Sequence, residues 1–176
     1  MSALTNTPTN RNFLSPLNFR LVLQKAPLLN FFLQSASIPG LSFAGNITMP
    51  TPLIDIPIPG EKLVYSPLSV SFMVDEDMTN YMEIFNWMIS LAAKDLQPFA
   101  RYQAQTSIEP DVNSRDRSDI KLMILTSSKN PNIQVNFQDA FPTQLGELNF
   151  STTASGVNYL ESSVTFEYVK YEIEII

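Results

Sequence analysis

The chain contains neither cysteine nor histidine. Without cysteine there is no disulfide, no thiolate metal site and no thiol nucleophile. Without histidine the commonest general base and the commonest metal ligand are both missing. Glycine is scarce as well: the 5 glycines stand singly, so no glycine-rich loop can cradle a phosphate. Charged residues make up only 16% of the 176 residues against 44% hydrophobic, where an average protein carries about 25% charged. Part of the surface is therefore expected to face protein rather than water. The net charge of −6 argues against a protein that grips nucleic acid by its phosphates, which takes a basic patch. No apolar run approaches the ~20 residues of a membrane span. Met1 to Pro8 lacks the basic and apolar regions of a signal peptide. These absences predict a soluble intracellular assembly protein of one domain, with no membrane partner, no cofactor and no catalytic activity.

The remaining candidates for chemistry are weak. The acidic runs Asp75-Glu76-Asp77 and Asp116-Arg117-Ser118-Asp119 lack the loop spacing, glycine and closing glutamate of a calcium site. They read better as helix-capping and solvated ion-pair residues. Serines abound, but with no histidine and no Ser-x-x-Lys pattern nothing activates a hydroxyl.

What the chain does contain is period-two patterning. Residues 1–16 are polar and proline-rich and read as a flexible arm, with residues 17–176 forming a single domain. Leu17 to Gln24 alternates as a half-buried strand, and Leu28 to Ser35 is expected to return as its hairpin partner. Leu41 to Met49 predicts a third strand with a bulge at Gly45. Pro50, Pro52, Pro57 and Pro59 then exclude a central strand, so residues 50–64 are expected to form an extended segment or exposed hairpin. Its Leu53, Ile54, Ile56 and Ile58 are too apolar for a solvated loop and should be covered by something. Leu68 to Val74 alternates again. Residues 96–119 show little periodicity and read as a long loop, an uncommon feature that usually serves an interaction. Ile120 to Ile124 and Ile133 to Phe137 predict two strands joined through Ser127-Ser128-Lys129-Asn130-Pro131.

A helix is predicted from about Met78 to Ala93, N-terminally complemented by the acidic run. It carries two apolar stripes. Met78, Tyr81, Met82, Phe85, Met88, Ile89 and Ala92 follow helical spacing and read as the core face. Ile84, Trp87 and Leu91 form the second stripe and are expected to face outward, against another subunit or partner. In the last strand the apolar positions switch from Val164, Phe166 and Tyr168 to Val169, Tyr171, Ile173 and Ile175. A strand cannot change faces without an extra residue or a bend, so one is expected near Tyr168-Val169, where a strand can pass from one sheet to another.

Two blocks of this sequence resemble a known family. Phe141-Pro142-Thr143-Gln144-Leu145-Gly146-Glu147-Leu148, followed by a hairpin and the strand Val164 to Ile175, resembles the C-terminal end of the tail tube proteins of contractile-tailed, T4-like bacteriophages. Upstream, Pro59-Gly60-Glu61-Lys62, the strand Leu68 to Val74, the acidic run and the helix with Phe85 and Trp87 follow in the same order. The blocks touch about half the chain. Neither motif is catalytic.

The resemblance implies a mainly β subunit of two packed antiparallel sheets, a β-sandwich or half-barrel, with one α-helix. In that family, subunits close into a hexameric ring around a shared inner β-barrel, and stacked rings form a channel for DNA passing from capsid to host. A barrel of about 24 strands at ~4.8 Å spacing and ~45° tilt is ~50 Å across at the backbone, wide enough for a duplex. The resemblance further implies a virion location after assembly in the host cytoplasm. Implied partners are other copies of the chain, the tail sheath, the baseplate and tail terminator proteins, and double-stranded DNA in transit. Ile84, Trp87 and Leu91 would then meet the sheath or a neighbouring subunit, and Leu53, Ile54, Ile56 and Ile58 a neighbouring ring or subunit. Asn149, Ser151, Glu161, Ser163, Thr165 and Glu167, on polar faces near the end of the chain, would face the lumen. The polar N-terminal arm and the proline-rich segment depart from the family pattern. They leave open a baseplate tube initiator; the tube of a contractile injection or type VI secretion system, which shares the fold, is a separate alternative. A monomeric β-sandwich binding module is the alternative outside this class.

Overall fold

The computed structural model describes residues 13–92, 117–151 and 159–176. Most of the predicted arm and of the predicted 96–119 loop thus lies outside the described residues. Phe13 to Pro16 are described and form no strand or helix.

Seven strands form one antiparallel hydrogen-bonded system. In chain order these are β1 (Phe19–Leu23), β2 (Leu33–Ala36), β7 (Leu68–Met73), β8 (Ser118–Leu125), β9 (Pro131–Leu145), β10 (Glu161–Glu167) and β11 (Lys170–Ile175). Between β2 and β7 lie the short strands β3 (Leu41–Ala44), β4 (Ile47–Pro50), β5 (Asp55–Ile58) and β6 (Lys62–Tyr65). The helix α1 spans Thr79–Ala92. Among the described residues the path β1-β8-β9-β10-β7-β2 is open, with β11 also on β9, and does not close into a barrel.

The long strand β9 belongs to two sheets. Its N-terminal half lies between β8 and β11, with β1 beyond β8; this is sheet I. Its C-terminal half pairs β10, which pairs β7, which pairs β2; this is sheet II. The break expected near Tyr168-Val169 is a bend, and β9 bends opposite it. The register from Glu167↔Phe141 to Lys170↔Gln138 runs on without a shift. On β9 the buried side chains change from Val135 and Phe137 to Ala140, across Asp139 at φ 55°. Asp139 can hold this left-handed conformation because its short polar side chain tolerates it, and its N–H donates to Asp119 Oδ1 at 3.1 Å. Both strands thus change faces at one paired position.

The sheets close on one core. Leu21, Leu23, Ile120, Leu122, Val135 and Phe137 come from sheet I, and Leu68, Val70, Phe72, Val164 and Phe166 from sheet II. The predicted hairpin of β1 with the next segment does not form. Pro27 instead opens a short 3-10 turn, Pro27–Asn30, which suits its fixed φ, and β2 then joins β7 in the other sheet. Strand β1 pairs β8, about a hundred residues away in sequence. The predicted strand Leu41 to Met49 breaks in two at Gly45, whose φ is +75°. The predicted hairpin turn between β8 and β9 does form, with Thr126 N–H donating to Asn130 O at 2.8 Å.

The side chain of Asp75, four residues before α1, caps its first turn. One carboxylate oxygen accepts from Asn80 N–H at 3.3 Å and the other from Thr79 Oγ1 at 2.5 Å. Asn80 is fully buried and donates through Nδ2 to Met73 O at 2.8 Å, tying the helix start to the end of β7. The helix is turned relative to the expectation. Ile84 and Trp87 are 0% and 2% exposed and belong to the subunit's own core, with Trp87 packing on Phe166 at 6.0 Å between ring centroids. Leu91 packs partly buried against the same core. Met82 and Phe85, assigned to the core by periodicity, are 40% and 38% exposed. The largest apolar body on the helix takes the deepest site because it removes the most area from water.

Trp87→Ala is accordingly expected to destabilise the subunit itself, by about 3–5 kcal/mol, as read by urea unfolding; an unchanged midpoint would contradict the burial. Glu83 provides a second check. Burial pushes its carboxyl above the usual range, against a 3.2 Å hydrogen bond from Leu28 N–H, with Asp75 nearby adding to the rise. The folded state therefore binds the proton more readily than the unfolded chain. The charged form costs stability above the raised pKa, and that cost fades as pH falls through it. Glu83→Gln, which keeps an acceptor, should raise the melting temperature more at pH 7 than at pH 4. A pH-independent difference would contradict it.

Candidate assembly surfaces

Strands β3 to β6 make a long hairpin that stands off the two-sheet body. Leu41↔Tyr65 and Phe43↔Leu63 pair in its base, and Ile47↔Ile58 and Met49↔Ile56 in its outer part. Directly opposed residues share a face, so each ladder has one apolar face. The reverse face of the outer ladder carries Thr48, Pro57, Pro50 and Asp55. Between the ladders, Gly45 and Asn46 stand opposite Pro59, Gly60 and Glu61, so the return strand carries one extra residue, the mark of a bulge. At Gly60 an added Cβ would lie 1.9 Å from Ala44 O, so the chains approach here more closely than any side chain permits. Its N–H donates to Asn46 Oδ1 at 2.9 Å.

The four apolar residues singled out in the sequence all sit on this hairpin arm, which is distinct from residues 1–16. Leu53, at 93% exposure, and Ile54 form the tip, and Ile56 and Ile58 are exposed on β5. Leu41, Phe43, Ile47, Met49 and Leu63 are also exposed. Sequence reasoning missed the outgoing Leu41, Phe43, Ile47 and Met49, which read as an ordinary strand, and Leu63, which lies beyond the bulge. A two-stranded ribbon with such a face is marginal alone in water, and apolar exposure of this extent marks an interaction surface.

The outer face of sheet II is different in kind. Ser35, Ser69, Ser71, Ser163, Thr165 and Gln144 are brought together by the register Ser35↔Ser71↔Ser163 and Ser69↔Thr165↔Gln144. Ser35 and Ser71 hydroxyls are 2.5 Å apart. Glu161 and Glu167 stand at the two ends of β10, and both are exposed. An open trough of about 630 Å³ runs over part of this face, between Ser71, Gln144, Glu161 and Ser163. Of the predicted lumen residues, Glu161, Ser163, Thr165 and Glu167 share this face. Asn149 and Ser151 are exposed but lie beyond the end of β9, where Asn149 Nδ2 donates to Glu147 Oε1 at 3.2 Å.

Gly146, from the motif that carried the resemblance, has a structural reason to be glycine. A Cβ there would lie 2.9 Å from Ser163 Oγ and 3.0 Å from Ser163 N. Its N–H donates to Ser163 O at 2.6 Å, and its carbonyl accepts from Tyr81 and Ser162 hydroxyls. The helix, β10 and the end of β9 meet at this residue. Among the described residues no group of three or more His, Cys, Asp or Glu could hold a metal ion, and no helix is long and apolar enough to cross a membrane.

A model of the phage tail tube protein family matches residues 7–174. The chain belongs to that family. It is 26% identical over 144 residues to the tail tube terminator protein of Enterobacteria phage T4, a match covering 80% of this chain and 76% of the relative. Among solved structures, the tube-terminating cap of the anti-feeding prophage superposes with a TM-score of 0.65 at 16% identity, covering 100% of both chains. A chain of the sheath/tube terminator of an extracellular contractile injection system superposes at 0.60 and 15% identity, covering 94% of this chain and 99% of that one. A chain of the sheath-tube complex from an injection system of the same kind gives 0.60 at 13%, covering 94% of both. At these identities the likeness is one of fold, and it agrees with the mainly β, one-helix architecture expected from the sequence.

If the arm is an assembly surface, Ile56→Thr with Ile58→Thr should leave the subunit folded while abolishing rings or tubes under the electron microscope. Both side chains are exposed, and such changes away from a core cost little stability, within about 0.5 kcal/mol. Normal assembly of the double variant would contradict this role.

Proposed function

We propose that the protein is a ring-forming structural subunit at the end of a contractile phage tail tube, acting as its terminator. The family membership supports a tube subunit. The observation that carries the finer placement is the similarity to a tail tube terminator along four-fifths of the chain. The geometry suits ring formation. Among the described residues the hydrogen-bonded path ends at β2, whose outer edge a neighbour's strand can extend, since an unpaired edge is a ready template. Six copies joined in this way would close a ring whose inner wall is sheet II. The arm, with Leu53, Ile54, Ile56 and Ile58, would reach a neighbouring subunit or ring and withdraw its apolar face from water. With Ile84 and Trp87 in the core, the outward face of α1 is left with Met82 and Phe85, and these would meet a sheath partner.

In that ring Glu161, Ser163, Thr165 and Glu167 line the bore. Hydroxyls and scattered carboxylates give passing DNA no cation to pair with, whereas a basic wall would bind it through counterion release. Repulsion from the two glutamates would act within about 10 Å at 0.1 M salt.

A second reading, the repeating subunit of the tube body, is supported by membership of the phage tail tube protein family. Copy number separates the two. Quantitative mass spectrometry of purified virions should give a single ring's worth of this chain per tail, and virions lacking it should carry tubes of uncontrolled length. A copy number that scales with tail length would overturn the terminator reading in favour of the tube body.

A further inference from the structure

The arm joins the body through two short linkers, Ser37 to Gly40 and Ser66-Pro67, one on each side. Each is held by a tyrosine hydroxyl, Tyr168 from the bend between β10 and β11 and Tyr171 from the start of β11. Tyr171 donates to Pro39 O at 3.1 Å and Tyr168 to Ser66 O at 2.7 Å. Ser66 N–H donates across to Gly40 O at 3.1 Å, closing the base of the hairpin. The ring of Tyr65, the last residue of the arm, stands edge-on to both tyrosines, at 6.0 Å from Tyr168 and 5.4 Å from Tyr171. Phe137 backs them at 5.0 and 5.6 Å.

We infer that Tyr168 and Tyr171 are positioning residues that fix the direction of the arm before any partner is met. The inference deepens the assembly role proposed for the arm and rests on it only for its consequence, not for the clamp itself. Two linkers, each with one anchored carbonyl, resist both swing and twist, which a single anchor would not. The neighbouring prolines, Pro39 and Pro67, narrow the backbone freedom of the same linkers. Tyr168 and Tyr171 lie at the position where the last strand crosses from sheet II to sheet I, so the arm is oriented relative to both sheets at once. Burial pushes the Tyr168 hydroxyl up to about 12, so it remains a donor throughout the neutral range. A limb held in its bound direction avoids the ordering cost of association.

Single-molecule fluorescence transfer on the full chain tests this below any concentration at which copies associate. The absence of native cysteine allows dyes to be placed at Leu53→Cys on the arm tip and Lys121→Cys on β8. The otherwise unaltered chain should give one narrow transfer peak. Tyr168→Phe with Tyr171→Phe keeps the rings and removes only the hydroxyls, and should broaden the peak or split it. Tyr81→Phe, whose hydroxyl bonds Gly146 instead, should leave it narrow. Should the double variant fail to fold by near-ultraviolet circular dichroism, the single Phe variants make the same comparison. A broad peak in the unaltered chain, or an equally narrow one in the Phe variants, overturns the inference. Ring formation by the Phe variants should slow about tenfold. A clamp shown by fluorescence in a chain that never forms rings would leave the positioning intact and count against the ring reading alone.

Discussion

The subunit depends on one shared bend. β9 and the β10–β11 pair run as a single antiparallel ribbon, and both strands change faces where Asp139 lies opposite the Tyr168-Val169 break. Without that bend the buried positions of one half of the ribbon would point to solvent in the other, because a strand's side chains alternate strictly. With it, Val135 and Phe137 meet Val164 and Phe166 across a common core. The sandwich is therefore one sheet system folded on itself rather than two sheets pressed together. Its open edges and standing arm follow from that arrangement, since the bend closes the core without closing the barrel.

Core and surface divide along the same line. The inward faces supply nearly all the large buried side chains, with Trp87 filling the space beside Phe166. Outward, the molecule has distinct textures: a serine- and threonine-rich sheet face and an apolar ribbon. Among the described residues the ion pair Lys170–Glu172, at 2.6 Å, lies on the exposed surface, where such pairs contribute little. The low charge content noted in the sequence is thus visible as apolar area left on the arm.

Much of this was legible beforehand. Period-two runs located β7, β8 and β9, the parity change at Tyr168-Val169 located the bend, and the turn residues located the β8–β9 hairpin. The orientation of α1 was not legible. Its two apolar stripes both fit helical spacing, and periodicity cannot say which one meets the larger hole; that depends on the space beside Phe166, a tertiary property. The partners of β1 and β2 were missed because local order favours a hairpin, while the structure pairs them with strands far along the chain. The arm's bulge did leave a signal. Ile54, Ile56 and Ile58 are even and Leu63 and Tyr65 odd, the same parity change that identified the bend in the last strand. The prolines around it drew attention to chain breaking instead.

The two kinds of pairing also differ in what it costs to close them. The arm joins residues 41–44 to 62–65 and closes a short stretch of chain, whereas β1 must wait for β8 across about a hundred residues. Loop closure costs more for the longer span and slows it. Closing the ribbon costs little at any stage, but a two-stranded ribbon is marginal alone, so it gains its footing only once the sandwich carries it. The long-range β1–β8 contact is the costly closure, and until it is made the inward apolar faces of both sheets stay open to other chains.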